Sequence, residues 1–193
     1  MEKVGSIIFL NHLFIICLAT PLMVQSTIEN PRENIDRWFQ NLPRVKQKLT
    51  RLHFYFHDVV LGPHPTVVAV ANASNTFTSP TFFGRVNIFD NPLTQGPEPG
   101  SKLVGPAQGL YGFTSQEEVS LLMAMNFVFR SWKHNCSSLT VLGRKRVGQS
   151  VRELPIVGGT GVFRLARGFA LAKSYFFNAS VATVEYNVAV LHY

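Results

Sequence analysis

Two stretches of strict alternation limit what this chain can fold into. In Leu52-His53-Phe54-Tyr55-Phe56-His57-Asp58 apolar positions alternate with polar or amphipathic ones, and Thr183-Val184-Glu185-Tyr186-Asn187-Val188-Ala189-Val190 repeats the pattern with its even positions facing one way. A period of two is the mark of a half-buried strand. Between them lie segments rich in Val, Phe and Leu at 67–71, 83–89, 105–113, 121–129, 138–142, 153–157 and 161–174. Gly62-Pro63, Asn91-Pro92, Gly96-Pro97-Glu98-Pro99-Gly100 and Gly158-Gly159-Thr160-Gly161 punctuate the gaps, the last reading as a hairpin turn. About eight strands at short spacing, with almost no 3.6-residue pattern, predict an all-β fold. An eight-stranded antiparallel β-barrel is favoured over a sandwich, because closure removes exposed edges. Gly105, Gly109, Gly112, Gly161 and Gly168 supply the bends that curling strands need.

The ends and the charge narrow the class. Residues 1–26 read as a secretory signal peptide: Lys3 precedes the apolar runs Ile7-Ile8-Phe9-Leu10 and Leu13 to Ala19, with a small-residue exit near Val24-Gln25-Ser26. Asn11, His12 and Pro21 interrupt a run that falls short of the roughly 20 apolar residues of a membrane span, so none is expected. Residues 27–48, with Arg32, Arg37, Arg44, Lys46 and Lys48 among acids, read as a flexible N-terminal arm, and 49–193 as the barrel domain. Cys17 leaves with the leader, so Cys136 has no intrachain partner and no disulfide is expected. Secretion would make the sequons at Asn72, Asn135 and Asn178 glycosylation sites. Lys and Arg number 18 against 11 acids, a net charge of +7. Because only 15% of residues are charged and 46% are hydrophobic, disorder is excluded and the basic balance reads as solubility rather than nucleic-acid binding. The one basic cluster, Arg144-Lys145-Arg146, reads as a solvated loop in preference to a face for wall polyanions or anionic substrate groups.

Motif absences remove whole reaction classes. There is no His-Glu-x-x-His, no Gly-x-Ser-x-Gly elbow, no P-loop and no dinucleotide fingerprint, so no cofactor is expected. His53, His57 and Asp58 suggest a metal only superficially, since residues four apart on a strand lie about 13 Å apart.

Five collinear strings carry a resemblance. They are Phe54-Tyr55-Phe56-His57-Asp58; Phe82-Phe83-Gly84 with Ile88-Phe89-Asp90-Asn91-Pro92-Leu93-Thr94; Ala107-Gln108-Gly109-Leu110-Tyr111; Val151-Arg152-Glu153-Leu154-Pro155 running on to Gly161; and Ala166-Arg167-Gly168-Phe169-Ala170. In order and spacing these resemble the plant dirigent family over residues 50–193. The ending Val184 to Tyr193 and the run Gln116-Glu117-Glu118-Val119 look more like the branch with pterocarpan-forming members than the pinoresinol-forming branch. The resemblance implies an eight-stranded barrel secreted to the plant cell wall (apoplast) and assembled as a homo-oligomer, trimer or dimer. It implies stereoselective coupling of phenoxy radicals of a monolignol such as coniferyl alcohol, with an external laccase or peroxidase supplying the radicals. The alternative it implies is a dehydratase-cyclase that closes an isoflavanol through a quinone methide. A carbohydrate-binding wall barrel is a third possibility.

Carried over residue by residue, the resemblance points to Asp58, Tyr111 and Arg152 as the site. Asp58 would be the carboxylate at one end of the cavity, or else a turn-capping residue before Gly62-Pro63. Tyr111 would donate its hydroxyl to a phenolic oxygen, or simply pack in the wall. Arg152 would hold an anionic oxygen, or pair with Glu153 or a neighbour; a charge entering a small barrel must find a partner. Departures accompany these matches. Lys145 stands where pinoresinol-forming relatives carry a carboxylate, Phe113 where they have a second tyrosine and Arg85 where they have an acid. The family's cysteine pair is also absent.

Overall fold

The computed structural model describes residues 30–130 and 134–193; the leader expected over 1–26 lies outside them. The chain divides into two compact units at Arg44 and Val45. In the first, the segment expected as an arm contains a helix, α1 (Pro31–Asn41), followed by a 3₁₀ turn, Leu42–Arg44. The local reason is a capping signature that strand periodicity passes over. The Asn30 side chain accepts a hydrogen bond from the Arg32 amide at 3.1 Å, Pro31 holds the first helical position and Glu33 sits in the first turn. Among the described residues no helix is long and apolar enough to cross a membrane.

The second unit is a closed all-β barrel. Its strands are β1 (Lys48–Val59), β2 (Val67–Ala71), β3 (Val86–Thr94), β4 (Leu103–Phe113), β5 (Ser120–Phe129), β6 (Ser137–Arg146), β7 (Val151–Thr160), β8 (Arg167–Phe177) and β9 (Val181–His192). All pairings are antiparallel, in the order β1-β9-β8-β7-β6-β5-β4-β3-β2. A further pairing of β1 with β3, at Tyr55 with Thr94 and Phe56 with Leu93, closes eight strands into a ring. The ninth, β2, pairs with the first half of β3, where Val67 meets Phe89 and Val68 meets Ile88.

Alternation then sorts side chains into inside and outside. Phe54 and Phe56 of β1, Met123, Met125 and Phe127 of β5, Leu154 and Ile156 of β7 and Val184, Tyr186, Val188 and Val190 of β9 are all buried. One end of the ring is solid. Phe54, Phe127 and Tyr186 pack there with centroids 4.9 to 6.0 Å apart, and the fully buried Phe163 ring meets Phe129 at a tilt and His192 edge-on. Phe163 comes from the 3₁₀ turn Gly161–Phe163. This corrects two boundaries: Gly158 and Gly159 continue β7 by pairing with Thr140 and Leu139, and the turn begins only at Gly161. The glycines let strands approach too closely for a side chain. At Gly105, with φ of +154°, an added Cβ would lie 1.9 Å from the Val128 carbonyl oxygen.

A paired substitution tests that packing. Gly105→Ala is expected to lower the unfolding free energy in urea by about 2 kcal/mol or more. Gly158→Ala, whose methyl group meets nothing within 4 Å, is expected to shift it by less than about 1 kcal/mol. Equal effects would contradict the strand geometry described.

Candidate active site in the mouth of the barrel

The other end of the ring is open. It is where β1, β4, β6 and β8 finish and β3, β5, β7 and β9 begin, and it holds a cavity of about 400 Å³. Phe56, Leu121, Met123 and Val184 form its apolar floor and sides, while Phe82 and Phe177 stand at the rim. The Phe82 backbone has φ of +56°, unusual for a bulky residue, and its ring meets Phe113 edge-on at 5.8 Å.

Asp58, Tyr111 and Arg152 all line this cavity. Asp58 continues the inward face of Phe54 and Phe56 at the end of β1, which places it in the cavity rather than at a turn cap. Its Oδ1 accepts a hydrogen bond from Asn91 Nδ2 at 3.3 Å. Burial pushes its carboxyl above the ordinary range, with Lys145 and the Asn91 bond acting against the shift. Tyr111 is buried beside Asn87; desolvation, then the Asp58 charge, push its hydroxyl up to about 12, so it stays a donor at neutral pH. Arg152 is only 3% exposed and does not pair with Glu153. One terminal nitrogen donates to the Gln149 carbonyl and to Ser174 Oγ, each at 2.9 Å. Its Nε is buried with no partner, as is the hydroxyl of Tyr186 beneath the cavity. Such groups are costly to leave empty and mark where a ligand's oxygen or a water belongs.

Lys145 is the residue that the sequence reading misplaced. Far from lying in a solvated loop, the basic triplet ends β6, opposite Leu121 and its neighbours on β5. Alternation throws Arg144 and Arg146 outward, where both pair with Glu118, and turns Lys145 inward to line the cavity. The signal was present: Leu139 and Val141 face in, and continuing that period reaches Lys145. Desolvation, then repulsion from Arg152, hold its ammonium down to about 8, opposed by Asp58. Arg85 also reaches the cavity wall, its Nε donating to Asn87 Oδ1 at 3.0 Å.

The remaining candidates lie elsewhere. His53 is on the outer surface, 2.9 Å from Glu185, and His57 is buried against Thr94 and Thr183. Among the described residues no cluster of His, Cys, Asp or Glu suits a metal ion. Cys136 is exposed. Asn72, Asn135 and Asn178 are exposed in connections between strands, and Asn178 lies at the cavity rim.

An eight-stranded antiparallel barrel closed at one end and open at the other agrees with the comparisons. Against protein-family models, residues 49–191 match "Dirigent-like protein". The chain belongs to the dirigent family. This dirigent chain is 50% identical over 146 residues to Dirigent protein 1 of Arabidopsis thaliana, covering 76% of this chain and 80% of that one. It is 44% identical over 188 residues to Pterocarpan synthase 1 of Glycyrrhiza echinata, covering 93% and 97%. The solved structure of the pterocarpan synthase dirigent protein GePTS1 superposes with a TM-score of 0.70 at 50% identity, covering 76% of this chain and 89% of that one. The expected likeness to pterocarpan-forming members therefore holds.

The half-buried ammonium yields a prediction about stability. A lysine whose folded pKa, about 8, lies below its ordinary 10.5 opposes folding while charged in both states. That cost is fully present below pH 8 and fades as pH rises from 8 to above 10.5. Lys145→Met is therefore expected to stabilise the chain at pH 7 by about 1–3 kcal/mol, allowing for partial exposure. The gain should shrink steadily towards pH 10.5 in thermal unfolding. A gain independent of pH, or none at all, would place the ammonium in water.

Proposed function

We propose that this dirigent chain takes a phenol bearing a benzylic hydroxyl, assists loss of that hydroxyl as water and directs which face of the quinone methide is closed. The observation that carries this reading is the convergence of Asp58, Tyr111 and Arg152 in one cavity, with the Arg152 Nε unpartnered. An acid whose burial favours its protonated form is suited to give a proton to a leaving hydroxyl. Tyr111 and Arg152 offer donors to the oxygen of the quinone methide, on which negative charge grows as the nucleophile adds; the phenolic proton, released to water through the open mouth as the carbon–oxygen bond breaks, returns to that oxygen on closure. An internal hydroxyl then adds to the benzylic carbon, and its proton returns to Asp58. The net change is loss of one water with no electron transferred, so no oxidant is required. Similarity to pterocarpan synthases supports this reading.

A second reading, face selection in the coupling of monolignol radicals made by an external laccase or peroxidase, is supported by comparable identity to relatives named only as dirigent proteins. Two radicals meeting against the apolar walls need only a bias: about 1.4 kcal/mol between poses gives a tenfold preference. Secretion, through the leader expected at residues 1–26, and glycan attachment at the three sequons belong to the same proposal. So does self-association. Val68, Ile88, Leu110 and Leu142 are exposed on the outer face, and together with Ala124 they follow the strand register across β2 to β6 as one apolar row.

Oxidant dependence decides between the readings. Incubated with a racemic isoflavanol hydroxylated on both rings, the purified protein is expected to release a cyclised product of high enantiomeric excess with no laccase present, measured by chiral chromatography. Asp58→Asn and Tyr111→Phe should each lower kcat by about 10²-fold or more while thermal unfolding shows both still folded. Enantiomeric excess appearing only with coniferyl alcohol and laccase would transfer the function to the second reading. No effect in either assay would defeat both.

A further inference from the structure

The charges inside the cavity do not balance. Four charged side chains line it: Asp58 on one side of the ledger, Arg85, Lys145 and Arg152 on the other. The acids that might have compensated are engaged outside the wall, Glu118 with Arg144 and Arg146, and Glu185 with His53. The partners that Arg85 and Arg152 do have are neutral: an Asn87 amide oxygen, the Gln149 carbonyl and the Ser174 hydroxyl. Lys145 makes no hydrogen bond or ion pair with any described residue, although it faces inward beside Leu121. Surplus positive charge in apolar surroundings is expensive unless an anion arrives to meet it.

A phenol with only neutral substituents would not meet it. Its oxygen, placed on Tyr111 and Arg152, leaves the Lys145 ammonium bare. A carboxylate accepts at up to four lone-pair positions, and its hydrogen bonds to an ammonium are charge-assisted. Resting on the reading of this cavity as a phenol site, we propose that its preferred ligands are phenols that also carry a carboxylate, with Lys145 as the specificity-determining residue that holds the carboxylate. The phenolic ring then lies along Phe56, Tyr111 and Met123, and the acid group sits at the end of β6 nearest the rim. The same chemistry accounts for the chain's carrying a base at a cavity position where an acid would repel such a ligand.

Ferulate and coniferyl alcohol share a ring and a chain length and differ at the terminal carbon, carboxylate against hydroxymethyl. Titration calorimetry of the purified protein at pH 7 is expected to give ferulate at least a tenfold lower Kd than coniferyl alcohol. In Lys145→Met, shown to be folded by circular dichroism and thermal unfolding, the ratio of the two Kd values should fall to within about twofold of one. Lys145→Arg, which keeps the charge, should restore a preference of at least fivefold. Equal binding of acid and alcohol to the unaltered protein would overturn the proposal while leaving the phenol site standing. A preference that survives Lys145→Met would overturn the role given to Lys145. Failure of both compounds to bind the folded protein would overturn the phenol reading and this proposal together.

Discussion

The whole arrangement depends on a short seam. Two residue pairs, Tyr55 with Thr94 and Phe56 with Leu93, join β1 to β3 and turn an open sheet into a ring. Without that seam the inward positions would form one apolar face of a flat sheet. With it they are enclosed, and every polar residue on that face is forced into a small space with its neighbours. The ring is then divided along its axis. Large aromatic side chains fill one half, with Phe163 stopping that end, so the cavity can open only at the other. What looks like a binding site is in this sense the part of the barrel interior that the aromatic residues leave unfilled.

Enclosure also gives the polar residues their chemistry. Asp58, Tyr111 and Tyr186 are all shifted first by desolvation, and Lys145 and Arg152 likewise, in the opposite direction. In water these groups would titrate ordinarily and exert little on one another. Inside the wall each feels the next, and the sum of their charges selects what may enter. A barrel that only supplied shape would have no need of a half-buried, unpaired ammonium turned inward.

Much of this was legible before any coordinates. The inward set of β9 follows from alternation alone, and the Val-rich run from Val67 to Ala71 coincides with β2. Asp58, Tyr111 and Arg152 came from the family likeness, and the structure gathers them in one cavity. Three features escaped for physical reasons. The helix Pro31–Asn41 is announced by its cap rather than by an apolar stripe, and none of its residues is buried. The end of β7 reads as a turn in the sequence because glycines serve both purposes, and only pairing with Leu139 and Thr140 distinguishes them. Lys145 was lost because three consecutive bases suggest solvent, whereas a strand treats neighbours oppositely: the outer two found Glu118 and the middle one found the interior.

The central claim is that the open half of the ring is a cationic chamber whose walls hold the Lys145 ammonium partly out of water. The direct measurement is the titration of the Lys145 side chain by NMR, following its Cε resonance in protein labelled at lysine and assigned by its loss in Lys145→Arg. A midpoint near 8 is the result this account predicts. A midpoint at or above 10.5, the value of a lysine in free contact with water, would contradict it.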